Sequence, residues 1–283
     1  MFEFLLQRIE LPGELARMAI ALLGTGVATY YDVRSNRTVP DKVLYAFLAV
    51  SLLANLVYFQ QDVFIYGIAT AAFIFAAGYL SYRLGYVGEA DVYVLSSLAL
   101  LLPVFPSGAK ALFNFPPAFS IIITSCLLFA LYFFCHILLN IALKGKKGRL
   151  EYLLLVPVYV LLMYFIISTG IFGIGYVMMV SILLLSSMLF LVYKQPLMES
   201  LARKTKLSEI EEGDLAAPEL MPETVRKYGV KRLLDAGEIR RLGKLKVKEI
   251  YVYKELPPFL PFVLLALLIT ILVGDLLTYS ITM

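Results

Sequence analysis

Long apolar blocks of roughly twenty residues alternate with short polar stretches along most of this chain. About 20 apolar residues in helical form are needed to cross the ~30 Å hydrocarbon core of a bilayer. Eight blocks fit that pattern, at roughly 14–31, 43–59, 63–82, 91–105, 117–143, 152–168, 172–193 and 258–279. The fourth is short and is expected to tilt little or to begin inside the protein. The run from Tyr152 to Tyr193 holds 42 residues, too many for one crossing. Gly170, Gly173 and Gly175 mark its break, because glycine weakens a helix and permits turns. Without that break the count falls to six or seven. The pattern predicts an all-α polytopic membrane protein of about eight transmembrane helices (six to eight).

One stretch departs from it. Residues 194–256 carry 14 basic and 11 acidic side chains. Val225, Tyr228, Leu233 and Leu234 have helical spacing and predict a helix over 223–242. Val247, then Ile250 to Tyr253, predicts a short strand. This is a small cytosolic α+β segment before the last helix. About 60 residues is marginal for an independent core, so it is expected to pack against the membrane part. The chain divides into a membrane domain (1–193), a cytosolic segment (194–256) and a last transmembrane helix (257–283), with no internal repeat.

Composition sharpens the class. Hydrophobic residues make up 60% of the chain and the mean hydropathy is +0.83, against about 45–50% apolar in soluble domains. A net charge of +4 gives no indication of nucleic acid. Cys126 and Cys135 share one apolar block without metal-ligand spacing, which excludes a disulfide framework. The single histidine, His136, lies mid-span. Residues 1–10 lack a basic region before an apolar run, so no cleaved signal peptide is expected. Lys and Arg are retained on the cytoplasmic side. Alternate loops, starting with 34–42, hold 22 of the 25 basic residues; the other side has Arg8, Arg17 and Lys110. Without the long segment the split is still 8 to 3. Both termini are therefore expected outside a cytoplasmic membrane.

Charges inside spans are costly and point to function. Ten acidic residues lie outside the cytosolic segment, and four of them, Asp32, Asp41, Glu89 and Asp91, fall near the cytoplasmic face. The first span runs inward and ends at Asp32; the fourth runs outward and starts at Asp91. Topology alone puts these two carboxylates at one depth. Asp275 lies about 17 residues into the last span, some 25 Å away at ~1.5 Å per residue. Two carboxylates close together at a partly dry site share a proton and can hold a water against a peptide carbonyl. One acts as base while the other protonates the carbonyl oxygen. Gly88, lacking a Cβ, would let a neighbouring backbone approach the second aspartate.

Each residue also has a plain structural reading. Asp91 suits a helix N-cap. Asp32 suits an ion pair with Arg34 or Arg37. Asp41 suits a cap or surface position after Pro40, and Glu89 a solvated loop. His136 suits a bond to a neighbouring helix, the tyrosines and phenylalanines suit belt and core, and the basic loops suit topology and anionic lipid.

At the two aspartates the chain resembles the archaeal preflagellin and prepilin peptidases, within the type IV prepilin peptidase family of GxGD membrane aspartic proteases. Asp32-Val33-Arg34-Ser35-Asn36-Arg37-Thr38-Val39-Pro40-Asp41 is similar to the family's Asp, basic residue and Ile/Val-Pro after span one. Gly88-Glu89-Ala90-Asp91 is similar to its Gly-x-Gly-Asp motif, with Ala90 in place of the second glycine. A weaker match is Leu207 to Asp214. The interval from Asp32 to Arg37 is one residue longer than usual, and eight spans exceed the six of small archaeal members.

The resemblance implies cleavage of the short basic leader from pilin-like or flagellin-like precursors at the cytoplasmic face, without cofactor or metal. It implies Asp32 and Asp91 as the catalytic pair. Gly88, Glu89 and Ala90 would shape the active site, and Arg34, Arg37 and Pro40 would serve substrate or interface. The four-cysteine zinc motif and methyltransferase site of many bacterial members have no counterpart, so protease activity alone is expected. Two other readings stand beside it. A presenilin or signal-peptide-peptidase type of intramembrane protease shares Tyr31-Asp32 but needs a Pro-Ala-Leu motif, of which Gln195-Pro196-Leu197 is a faint echo. A transporter would use the aspartates as a proton or cation site.

Overall fold

The computed structural model describes residues 9–34, 39–111, 115–139, 145, 148–254 and 256–275. Arg37, with the rest of 35–38, and the end of the last predicted span lie outside the described residues.

The apolar blocks are helical. They form α1 (Glu14–Arg34), α2 (Asp41–Val57), α3 (Gln61–Arg83), α4 (Glu89–Leu101) and α5 (Pro117–Ile137). Two more, α6 (Val156–Ser168) and α7 (Ile174–Val192), follow a 3-10 turn at Leu150–Leu155. After α8 (Lys194–Leu201), α9 (Pro222–Tyr228) and α10 (Ala236–Lys244) comes the last apolar helix, α11 (Leu260–Leu272). Among the described residues four stretches are long and apolar enough to cross a membrane: Gln61–Arg83, Pro117–Ile137, Glu151–Ser168 and Ile174–Val192. The long apolar run breaks where its glycines predict. Gly170 has φ +62°, and Gly173 is the N-cap of α7.

The fourth block is where lipid length stops being the relevant measure. α4 has 13 residues, roughly 20 Å at ~1.5 Å per residue. From Asp91 to Leu101 every residue but Tyr93 is buried. Helices α1, α2, α3 and α5 all pack on α4, so protein rather than lipid surrounds it. Leu102, Val104 and Phe105 continue beyond it, also buried. Irregular backbone is tolerated at membrane depth where protein covers it.

The face that α1 buries carries Arg17, Ala21, Thr25, Ala28 and Asp32, at the 3–4-residue spacing of one helix stripe. Three of the five are small, which lets neighbouring helices come close. At one end of the stripe the Arg17 guanidinium, 1% exposed, enters the bundle. It donates to Pro12 O (2.9 Å), Asn55 Oδ1 (3.0 Å), Leu100 O (3.3 Å), Leu101 O (3.4 Å) and Tyr58 O (3.3 Å). The carbonyls at the ends of α2 and α4 lack intrahelical donors; this cation supplies them and meets the negative ends of both dipoles. At the other end of the stripe stands Asp32.

The polar segment folds around its own apolar cluster, which includes Ile210, Leu234, Leu242, Ile250 and Val252. A second cluster joins Leu197, Leu201 and Tyr253 to Ile137 of α5 and to partly buried Leu189 and Phe190 of α7. The expected docking onto the membrane helices is thus present. The expected strand is β2 (Glu249–Tyr253), paired antiparallel with β1 (Ala202–Lys206), Ala202 opposite Tyr253 and Lys206 opposite Glu249. The single helix expected over 223–242 is instead two. Gly229 ends α9 with φ +61°, and Leu233 then bridges to Leu215. Leu233 and Leu234 are both buried without being helical, Leu233 in the bridge and Leu234 in the segment's own cluster.

Candidate active site

The turn between α3 and α4 is specified residue by residue. Gly85, with φ +73°, follows the last turn of α3. Its N–H donates to Tyr82 O (2.8 Å), and the Tyr86 N–H donates to Ser81 O (3.0 Å). This paired closure satisfies the orphan carbonyls of a helix end and needs a left-handed residue. Three residues on, Gly88 takes the N-cap position of α4 in extended conformation.

Asp91 is the third residue of α4, not its N-cap. Its Oδ2 accepts the Gly88 N–H at 3.1 Å, the reciprocal arm of a capping arrangement. The plain reading of this aspartate as a helix-end residue therefore holds in part, and it is buried as well. A Cβ on Gly88 would lie 2.9 Å from Asp91 Oδ2 and 3.6 Å from its Cγ. What fills the room left by the missing side chain is the Asp91 carboxylate itself, not a neighbouring backbone as its motif position suggests.

Asp32, in the last turn of α1, is buried at the same end of the bundle. Its Oδ2 accepts the Leu260 N–H at 3.1 Å. Leu260 is the first residue of α11, so the positive end of that helix faces the carboxylate. The crossing is fixed a turn earlier by the Thr29 hydroxyl, which donates to Leu260 O at 3.2 Å. Asp32 and Asp91 lie within electrostatic reach of each other. Two buried carboxyl groups, each held by a backbone N–H, thus lie within electrostatic reach where α1 packs on α4.

The other motif residues surround this pair unevenly. Glu89 is the exposed first residue of α4 and bonds Tyr82. Ala90 is partly buried against the membrane core. The Arg34 guanidinium turns back along its own helix, donating to the Tyr30 hydroxyl and lying 5.5 Å from that ring centroid. Pro40 is the exposed N-cap of α2, and Asp41 is the exposed residue after it. Asp275 belongs elsewhere. It is buried near the other end of α11 and accepts the Ser120 hydroxyl at 2.5 Å. Among the described residues no three His, Cys, Asp or Glu side chains gather as a metal site.

Two participants go unnoticed in the pattern of the chain. Arg17 serves above only as a basic residue of the outer side, although a charge within a span is itself a signal. The Leu260 amide has no side-chain signature at all, and it sits 228 residues from its acceptor.

Two neighbouring buried carboxyl groups are a pairing that can divide the work of general acid and general base.

Comparison with known families meets this site directly. Residues 19–134 match the type IV leader peptidase family. No curated protein and no solved structure matches the chain. The matched stretch runs from the first turns of α1 through most of α5 and contains Asp32, Gly88 and Asp91; α6 to α11 lie beyond it. Through residues 19–134 the chain is similar to the type IV leader peptidase family.

Proposed function

We propose that this protein is a membrane aspartic endopeptidase that removes the short basic leader of pilin-like or flagellin-like precursors at the cytoplasmic membrane face. The observation that supports the reading is the electrostatic proximity of Asp32 and Asp91, both buried, within the family-matched stretch. In the proposed reaction one carboxylate takes a proton from a bound water, which attacks the scissile carbonyl carbon. The other carboxyl group gives its proton to the carbonyl oxygen. Collapse of the tetrahedral intermediate breaks the C–N bond, and the departing nitrogen takes the proton that the base acquired. Gly88, Glu89 and Ala90 shape the entry to this pair. Arg34 and Pro40 lie on the loop side, where a precursor would leave the bilayer, and Arg37 is proposed to serve substrate or interface with them.

The proposed topology has eight crossings with both termini outside, α4 being a protein-covered crossing completed by the buried residues after Leu101. Residues 1–193 form the membrane domain, 194–256 the cytosolic segment and 257–283 the last span. A substrate of this class carries an apolar helix after its leader, so its scissile bond reaches the inner membrane border, the level proposed for the aspartates.

Incubation of membranes containing the protein with a precursor bearing a basic leader tests the reading, by mass shift on a gel and by sequencing the new N-terminus. Cleavage at the border between leader and apolar helix is expected. A cut within the apolar helix would favour the intramembrane-protease reading, and no cut of several precursors by properly inserted protein would sink the peptidase reading.

A further inference from the structure

The turn that presents Asp91 is covered by a residue from a distant part of the chain. Arg232 follows the bend after α9, and its carbonyl accepts the Ala216 N–H at 2.8 Å, beside the Leu215–Leu233 bridge. From that anchored position its side chain lies against the α3–α4 turn. A Cβ on Gly85 would meet Arg232 Cγ at 3.2 Å, and the guanidinium carbon sits 5.1 Å from the Tyr86 ring centroid. The Arg232 Nε is buried with no hydrogen-bond partner among the described residues. Stem packing and the cation–ring contact are therefore what hold this side chain to the turn. Glu212 of the same segment also lies within electrostatic reach of Tyr82 in the last turn of α3.

The turn is short. Gly85 and Tyr86 close α3, and Gly88 opens α4 while donating to Asp91. A shift at Tyr86 is carried two residues on to the donor that aims the Asp91 carboxylate. The body of α4 is embedded among other helices, so the turn is the part that a cytosolic contact can reach. We propose that Arg232, in the segment beyond the family-matched stretch, is a positioning residue for Asp91: by clamping the Gly85–Tyr86 turn it holds that carboxyl group at the working distance from Asp32. The inference rests on the proposed catalytic pair. It gives the cytosolic segment a part in the reaction that the family match, ending at residue 134, does not contain.

The experiment measures kcat and KM for precursor processing by the full chain in membranes. The variants are Arg232→Ala, Tyr86→Ala, the double variant and Arg240→Ala, with Asp91→Asn as reference. A misplacement of about 1 Å can cost two orders of magnitude in rate. Here a partial loosening is expected to lower kcat about tenfold in each single variant, with KM within about twofold. The double variant should be no slower than either single one, because both remove one contact. Arg240→Ala, which removes the same charge from an exposed position of the segment, should match wild type. Unchanged kcat in both singles, or a double variant whose loss is the product of the two, would overturn the positioning role. Tyr86 is exposed, so its variant reports even where Arg232→Ala fails to accumulate. Full activity of Asp91→Asn would instead remove the catalytic pair on which the inference stands.

Discussion

At the scale of single residues the site depends on what Gly88 lacks. A methyl group there would meet the Asp91 carboxylate at 2.9 Å, and either the carboxylate or the N-cap backbone must then move. Gly88→Ala is expected to lower processing by about 10–100-fold, the range for a displaced catalytic group. Its thermal unfolding in detergent should stay close to wild type, because the position is exposed and its backbone is extended. A rate equal to wild type would show that the carboxylate does not need that room. Arg17 is a stability residue at the far end of the same helix. Arg17→Met would take the Arg17 donor from five acceptors, of which Leu100 O keeps the Asn55 amide (2.8 Å). A loss of about 2–4 kcal/mol is expected from orphaned buried polar groups, read as a lowered unfolding temperature. Arg17→Lys should recover little of it, since one ammonium cannot reproduce the guanidinium fork.

Among the elements, α4 shows how far hydropathy reads. Its apolar run is visible in the chain, and so is its shortness. That it is the buried centre of the bundle follows from the helices packed on it, which no local window records. The α3–α4 turn was legible only as the gap between two apolar blocks; that Gly85 closes α3 and Gly88 opens α4 came from the structure. In the polar segment the strand at 249–253 was legible from its alternation. The partner strand β1 was not, since Ala202 to Lys206 is mostly polar and gains its pairing only from β2. This segment also has a pH-dependent anchor. Burial opposes ionisation of Glu238, but the bonds from Arg241 (2.6 and 2.8 Å) and from the Lys231 N–H (3.0 Å) outweigh it. They hold its carboxyl below the usual glutamate value. A lowered folded-state value means that the stabilisation is complete above the ordinary carboxylate range and is lost as pH falls through the folded-state value. Proteolysis of 194–256 in the full chain should therefore accelerate as pH drops below about 4.5. Glu238→Gln should be more susceptible at neutral pH and show a flatter pH response.

For the whole molecule, the charge asymmetry of the loops predicts orientation. In a Cys126→Ser, Cys135→Ser background, Lys204→Cys should react with an impermeant maleimide only from the cytoplasmic side and Gly108→Cys only from outside. The reverse pattern would invert the topology. Span count alone predicts one depth for Asp32 and Asp91, because a first span ending and a fourth span starting would share one membrane surface; that α1 packs on α4 is not written in it. The part played by α11 was not, because a backbone amide carries no residue type to read. The central claim is that these two carboxyl groups together make the catalytic centre. The most direct measurement is precursor processing by Asp32→Asn and by Asp91→Asn, each inserted at wild-type level, with Asp41→Asn and Asp275→Asn beside them. Loss of at least about 1,000-fold in each of the first two is expected for removal of an acid–base carboxylate, with most activity kept in the other two. Near-normal cleavage by Asp32→Asn or Asp91→Asn would contradict the pair, and abolition by Asp275→Asn would place the chemistry at another carboxylate.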